Sequence, residues 1–274
     1  MGLRADPRPI GVFDSGVGGL TVLAELRRRL PAESTIYLGD NARAPYGPRG
    51  AEEVRTFTLE SVAWLLRQEV KLLVLACNTA TAQALPLVRA VASVPVLGVV
   101  RPGAVAAAAS TRAGHVGVIA TAGTVASGAY ATAVGDADPT LVVTQLACPT
   151  LVPMVEAGQL SGPVAEGAVR GYLGELFAAD AKIDTLLLGC THYPLLRRLI
   201  EQVAGPKVAV VDSAFTTALA AEDLLDALGG RTAQPGPGAN RVATTGDVEA
   251  FTAVAGTVFA AALPSVERVV LAAD

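Results

Sequence analysis

The 274-residue chain has little sulfur, few aromatics and almost no lysine, and each scarcity narrows what it can be. Three cysteines are too few and too odd a number for a disulfide framework, which points to a reduced, cytoplasmic protein. Two histidines, with no His/Cys cluster at ligand spacing, argue against a transition-metal site. Only Lys71, Lys182 and Lys207 are lysines, and all three lie at the starts of predicted strands. A pyridoxal enzyme needs a Schiff-base lysine in its site, so that cofactor is not expected. No stretch of the length needed to span a bilayer is free of charge, proline and polar clusters, which excludes a transmembrane helix. Asp14 and a Gly-rich run break the only early apolar segment, so the N-terminus does not read as a signal peptide. A net charge of −4 and a pI near 5.3 leave no basic footprint for nucleic acid or an anionic membrane.

What is present is apolar. Hydrophobic residues make up 51% and charged ones 17%, with mean hydropathy +0.47, which rules out disorder. With aromatics at 4%, Ala, Val and Leu must build the core. The length favours two compact domains or one large one.

Short apolar runs recur at Ile10–Phe13, Thr35–Leu38, Lys71–Ala76, Val94–Val100, His115–Ala120, Leu141–Leu146, Asp184–Leu188 and Lys207–Val211. Stretches with helical spacing separate most of them, such as Leu20, Leu23, Leu26 and Leu30. Buried strands alternating with helices predict a parallel α/β sheet. Three pairs of segments repeat in the same order. Gly11–Gly16 resembles Gly117–Ala122 at an offset of 106; Leu72–Thr79 resembles Thr185–His192, and Val94–Val99 resembles Lys207–Asp212, both at 113. Together they predict two similar doubly wound α/β domains related by pseudo-symmetry, with the site in the cleft between them. Residues 1–100 with 214–274 form the first domain and 101–213 the second. Strands near Arg241–Thr245 and Val266–Leu271 have no counterpart in the other half and are expected to return to the first.

Ligands of open α/β sheets bind beyond the carboxyl ends of strands. The polar residues there are Asp14-Ser15, Asp40, Cys77-Asn78-Thr79, Thr121, Cys190-Thr191-His192 and Asp212-Ser213. Cys77 and Cys190 occupy equivalent places, each after a strand and before a predicted helix whose N-terminus would favour the thiolate. Cys148 has no partner in the other half and reads as structural. One thiol from each domain suits a symmetric proton swap: a thiolate removes a proton from one face of a carbon, and a thiol returns one to the other. Asn78, Thr79 and Thr191 could donate to a substrate carboxylate, although each residue type is also a common helix cap. Gly16-Val-Gly18-Gly19 fits neither the dinucleotide nor the P-loop pattern and is expected to lay backbone N–H groups against a carboxylate. No Gly-x-Ser-x-Gly elbow is present.

Several longer motifs resemble one family. Ile10–Val22 (IGVFDSGVGGLTV), Tyr37–Gly47 (YLGDNARAPYG), Leu75–Ala80 (LACNTA), Ala147-Cys-Pro149 with Val152–Gly158 (VPMVEAG) and Leu188–Leu195 (LGCTHYPL) are similar to the signatures of the glutamate racemases, in the same order. The likeness runs from about residue 9 to about 214, and Gly-Cys-Thr-His separates this branch from aspartate racemases. Asn41 and Ala44 depart from the common Thr and Val.

The resemblance implies a cofactor-independent enzyme that interconverts L- and D-glutamate and supplies D-glutamate for peptidoglycan. It makes Cys77 and Cys190 the two acid/base thiols, with Cys77 deprotonating D-glutamate and Cys190 L-glutamate. It puts Asp14 beside the first thiol, and Glu156 and His192 around the second, as assisting groups. Asp14, Ser15, Tyr46, Gly47, Asn78, Thr79, Thr191 and His192 match substrate-binding positions, and a homodimer is typical. Two other readings stay open: the same chemistry on another small acid such as aspartate, and a two-domain binding protein that closes on a dicarboxylate without chemistry.

Overall fold

The computed structural model describes residues 5–259 and 263–271. Two parallel sheets form its frame. The first contains β1 (Ile10–Asp14), β2 (Thr35–Gly39), β3 (Leu72–Leu75), β4 (Val96–Gly98), β9 (Asn240–Thr244) and β10 (Val266–Arg268), in the order β10-β9-β2-β1-β3-β4. The second contains β5 (His115–Ala120), β6 (Val142–Ala147), β7 (Thr185–Gly189) and β8 (Ala209–Asp212), in the order β6-β5-β7-β8. Every apolar run identified in the sequence carries a strand. Val94–Val100 shrinks to three residues, because Pro95 has no N–H to give the ladder.

The strand orders expose the repeat. β2-β1-β3-β4 and β6-β5-β7-β8 are the same arrangement, and Ile10 pairs with Leu72 as Val116 pairs with Thr185, at the offsets of 106 and 113. The fourth pair is one residue out. Leu73 faces Val96 whereas Leu186 faces Val210, so the structural offset there is 114 rather than 113. β9 and β10 extend only the first sheet, beyond β2.

Both faces of each sheet are covered, which explains why the strands read as continuous apolar runs. Along β1 and β3, Ile10, Val12, Leu72 and Val74 pack on one face against α1 (Leu20–Arg29), α10 (Ser213–Ala227) and α11 (Val248–Phe259). Phe13, Leu73 and Leu75 alternate to the other face, against α2 (Ala51–Leu66) and α3 (Asn78–Val91). In the second sheet Ile119, Leu186 and Leu188 face α7 (Leu151–Glu156), α8 (Pro163–Ala179) and α9 (Arg197–Ala204). Val116, Val118 and Leu187 face α4 (Val100–Ser110) and α6 (Ala129–Ala137). The short α5 (Ala122–Ala126) follows β5.

At the amino ends of the first sheet's strands, Lys71 forms a buried ion pair with Glu33 and also donates to Asp6 O (2.7 Å) and Gly230 O (2.8 Å). The Thr232 N–H donates to the same glutamate (2.8 Å), so one pair staples three loops. The candidate site residues gather at the opposite, carboxyl ends. Among the described residues, no helix is long and apolar enough to cross a membrane.

Candidate active site

A cavity of about 190 Å³ lies where the carboxyl ends of the two sheets meet. Cys77 and Cys190 both line it, one from each half, with Ser15, Asn78, Thr79 and Thr191. Tyr46, Gly47, Glu156 and His192 complete the predicted set on its wall. Asp14 alone does not reach the wall. It is fully buried beneath the glycine turn.

That turn works differently from the expectation. The Gly16 N–H donates to Asp14 Oδ2 (2.8 Å), so its polarity is spent on the protein's own carboxylate. Close approach accounts for the other two glycines. A Cβ on Gly19 would sit 2.5 Å from Asp14 Cβ; one on Gly18 would strike the His192 ring, 2.5 Å from Cε1, and lie 2.6 Å from Thr191 Oγ1. The turn thus seats Asp14 below it and His192, from the other half, above it. Burial raises the Asp14 pKa, opposed by the His192 charge and by the Gly16 and Gly19 N–H groups.

Cys77 caps α3. Its sulfur accepts from the Ala80 N–H (3.4 Å), and its thiol donates to Ser15 Oγ (3.4 Å). The helix terminus does not dominate, contrary to the sequence expectation. Burial, followed by repulsion from Asp14, pushes the Cys77 thiol up to about 12, although both hydrogen bonds act the other way.

The second thiol has different surroundings. Instead of an α-helix directly after Cys190, a 3-10 turn spans Tyr193–Leu196 and α9 begins only at Arg197. The Tyr193 N–H donates to Cys190 O (3.1 Å) and the Leu195 N–H to His192 O (3.2 Å), while Pro194 has no donor. His192 Nδ1 lies 3.8 Å from Cys190 Sγ, and its Nε2 lies 3.0 Å from Glu156 Oε1. Burial alone would discharge His192. The hydrogen bonds to Cys190 and Glu156, and the charges of Cys190 and Asp14, instead hold it up at about 10, as an imidazolium at neutral pH. The two thiols therefore have unlike helpers: a buried carboxylate near one, a cation near the other.

The remaining candidates divide by what their polar atoms already do. The Tyr46 hydroxyl donates to Asp40, which Arg43 and Thr245 also hold, and its ring packs on Phe13 and Phe57. The phenol oxygen is therefore already committed to a protein carboxylate. Gly47 presents its backbone, and its carbonyl accepts the Gly123 N–H from the second half (2.9 Å). Thr79 Oγ1 lies 2.9 Å from Thr121 Oγ1 and 3.3 Å from Thr124 Oγ1, a hydroxyl cluster that crosses between halves. On the opposite rim Thr21 Oγ1 donates to Thr191 O (3.0 Å).

Sequence reasoning assigned Thr121 no role in the site, yet it lines the cavity. The signal was in the repeat, which matches it to Ser15. An apolar wall from Val152 and Pro153 of α7 was also missed, and Cys148 borders the same space. The Cys148 thiol is pushed up to about 12 by burial, then by the Cys190 charge. Among the described residues, no three His, Cys, Asp or Glu side chains are grouped so as to hold a metal ion.

Comparison with known proteins identifies similar chains and folds. Glutamate racemase of Oceanobacillus iheyensis is 50% identical over 252 residues, covering 92% of each chain. A crystal structure of a glutamate racemase isoform from Bacillus anthracis superposes with a TM-score of 0.92 at 43% identity, covering 96% of this chain and 98% of that one. Glutamate racemase from Francisella tularensis in complex with D-glutamate gives 0.90 at 34% identity, over 97% and 98% of the two chains. Residues 10–222 match the family model for Asp/Glu/hydantoin racemases, and the chain belongs to that family.

Proposed function

We propose that the protein interconverts L- and D-glutamate by proton transfer between two cysteines, without a cofactor. One observation carries this reading: two thiols, at equivalent strand ends of the two repeated sheets, face one enclosed cavity. The relatives named above, one of them bound to D-glutamate, support glutamate as the substrate.

The surroundings supply the chemistry. His192, held as an imidazolium 3.8 Å from Cys190 Sγ, is the counter-charge for a thiolate there. Cys77, pushed up to about 12, rests as the thiol. The two thiols thus sit in unlike surroundings, an imidazolium beside one and a buried carboxylate near the other. Proton removal by Cys190 and return from Cys77 inverts the α-carbon, and the reverse turnover exchanges the roles. An α-proton is far less acidic than a thiol, so donors must stabilise the carboxylate as charge develops. Ser15, Thr79, Thr121 and the N–H groups opening α3 and α5 supply them. Asp14 acts from beneath, through its charge on Cys77 and His192, and Glu156 fixes the imidazole.

The sheet membership of β9 and β10 supports a first domain of residues 1–100 with 214–274 and a second of 101–213. In the cell we place the enzyme in the cytoplasm as a homodimer that supplies D-glutamate to peptidoglycan synthesis, in keeping with three unpaired cysteines.

The test is deuterium entry at the α-carbon in D₂O, followed by NMR, alongside loss of circular dichroism from D-glutamate and from D-aspartate. Exchange and racemisation with glutamate are expected of the wild type, with racemisation abolished in folded Cys77→Ala and Cys190→Ala. Binding without exchange would favour a closing receptor, and turnover of aspartate alone would move the substrate.

A further inference from the structure

Tyr130 has no part in the scheme above and lies outside the motifs that identify the family. It comes from α6 in the second half, and its side chain is fully buried. Two of its contacts reach the two thiols' immediate neighbours. Asn78, the residue after Cys77, donates from Nδ2 to the Tyr130 hydroxyl oxygen at 2.6 Å. Gly189, the residue before Cys190, lies against the ring edge, where an added Cβ would sit 2.8 Å from Tyr130 Cε2. The same ring borders both chain crossings between the halves. A Cβ on Gly103 of α4 would lie 3.8 Å from the hydroxyl, and Ser213, which opens α10, faces the phenol.

One rigid side chain therefore spans from one thiol-bearing junction to the other. A tyrosine has only two side-chain torsions, and both are fixed here by burial on every side. Its hydroxyl also decides the orientation of the Asn78 amide. With Nδ2 committed to the phenol, Oδ1 is left buried and without a partner at a residue that lines the cavity. A buried, unsatisfied carbonyl oxygen is costly unless a ligand donor completes it. An amino acid's ammonium group is such a donor.

We propose that Tyr130 is a positioning residue: through Asn78 and Gly189 it sets the separation of the two thiols, and it turns the Asn78 carbonyl toward the substrate ammonium. This rests on the two-thiol reading of the site. Loss of the phenol oxygen would free the amide to flip and leave the ring packing intact.

Tyr130→Phe, Asn78→Ala and the double variant form the test, with glutamate Kd from calorimetry, kcat, KM and melting temperature. Tyr130→Phe is expected to keep its melting temperature and to weaken glutamate binding roughly tenfold, a typical share for one buried hydrogen bond to a ligand-binding group. KM should rise more than kcat falls. In the Asn78→Ala background the same change should add less than about twofold, because the amide that the phenol oxygen orients is gone and the ring still packs on Gly189. Unaltered binding, or losses that multiply in the double variant, would overturn the proposal. So would a Tyr130→Phe protein that fails to fold, since the oxygen would then serve the core. Wild-type protein that binds glutamate without exchanging its α-proton would instead refute the two-thiol reading, and the Kd comparison would still judge Tyr130.

Discussion

Gly18→Ala is the smallest change that should disable one thiol's helper and spare the other's. The added methyl carbon would lie 2.5 Å from His192 Cε1 and closer still to Nδ1, where ordinary contact begins at 3.4 Å. About 1 Å of movement is required. The ring has little room, because Nε2 is tied to Glu156 at 3.0 Å and Nδ1 faces Cys190 at 3.8 Å. Overpacking of this size costs about 1–3 kcal/mol, or roughly 2–10 °C in melting temperature for a chain of this size. A displacement of that order at a reacting group costs on the order of 10²-fold in rate. Racemisation should therefore slow about a hundredfold, equally in kcat/KM for both enantiomers, because their equilibrium constant is fixed at one. The assay is circular dichroism from each enantiomer, with thermal unfolding alongside. His192→Ala supplies the control. With the ring absent the two nearest obstacles are gone, and Thr191 Oγ1, at 2.6 Å, is the end of a rotatable side chain. Gly18→Ala should then cost little beyond His192→Ala itself. Near wild-type turnover by Gly18→Ala, or losses that multiply with His192→Ala, would falsify the argument.

Other outcomes follow from the same structure. His192 is raised from 6.5 to about 10, so its stabilising contribution is full below pH 6.5 and disappears as pH climbs through 10. Chemical denaturation at pH 6 and pH 10 should show a smaller loss for His192→Asn than for wild type; equal losses would contradict the imidazolium. Asp14→Asn removes the charge that helps raise Cys77, so alkylation of Cys77 in a Cys148→Ala/Cys190→Ala background should begin at lower pH than in the same background with Asp14. An unchanged alkylation profile would count against that coupling. Lys71→Met strands a buried carboxylate far from the cavity and should cost about 3–5 kcal/mol of stability with kcat intact. Dialysis against chelator should leave racemisation unaffected, and recovery only on adding metal would overturn the cofactor-free scheme.

What the sequence made legible was local or repeated. Strands buried on both faces announce themselves as apolar runs, and the 106 and 113 offsets brought Cys77 and Cys190 to matching strand ends before any coordinates. The misreadings come from contacts that residue type and spacing do not show, some of them between segments far apart in the chain. Gly18 and Gly19 looked like an anion cradle, but their partners are His192, 174 residues on, and Asp14 folded back beneath them. Tyr46 does line the cavity, but residue type alone did not show that Asp40 takes its hydroxyl. The helix-terminus argument for Cys77 gave the wrong direction, since burial and the Asp14 charge outweigh one N–H at 3.4 Å.

The repeat also shows where symmetry had to fail. Aligned by strand register, Asp14 corresponds to Ala120, and Cys77-Asn78-Thr79 to Cys190-Thr191-His192. The thiols match; their helpers do not. Identical surroundings would give both sulfurs the same charge at rest, two thiols or two thiolates, and neither pair can take a proton on one face while giving one on the other. A buried carboxylate near Cys77 and an imidazolium beside Cys190 make the two surroundings unlike, as the proposed two-thiol scheme requires. Because Asp14 and His192 meet across Gly18 and Gly19, each also senses the other's charge. At the glycine turn the two unlike helpers, one from each half, come together.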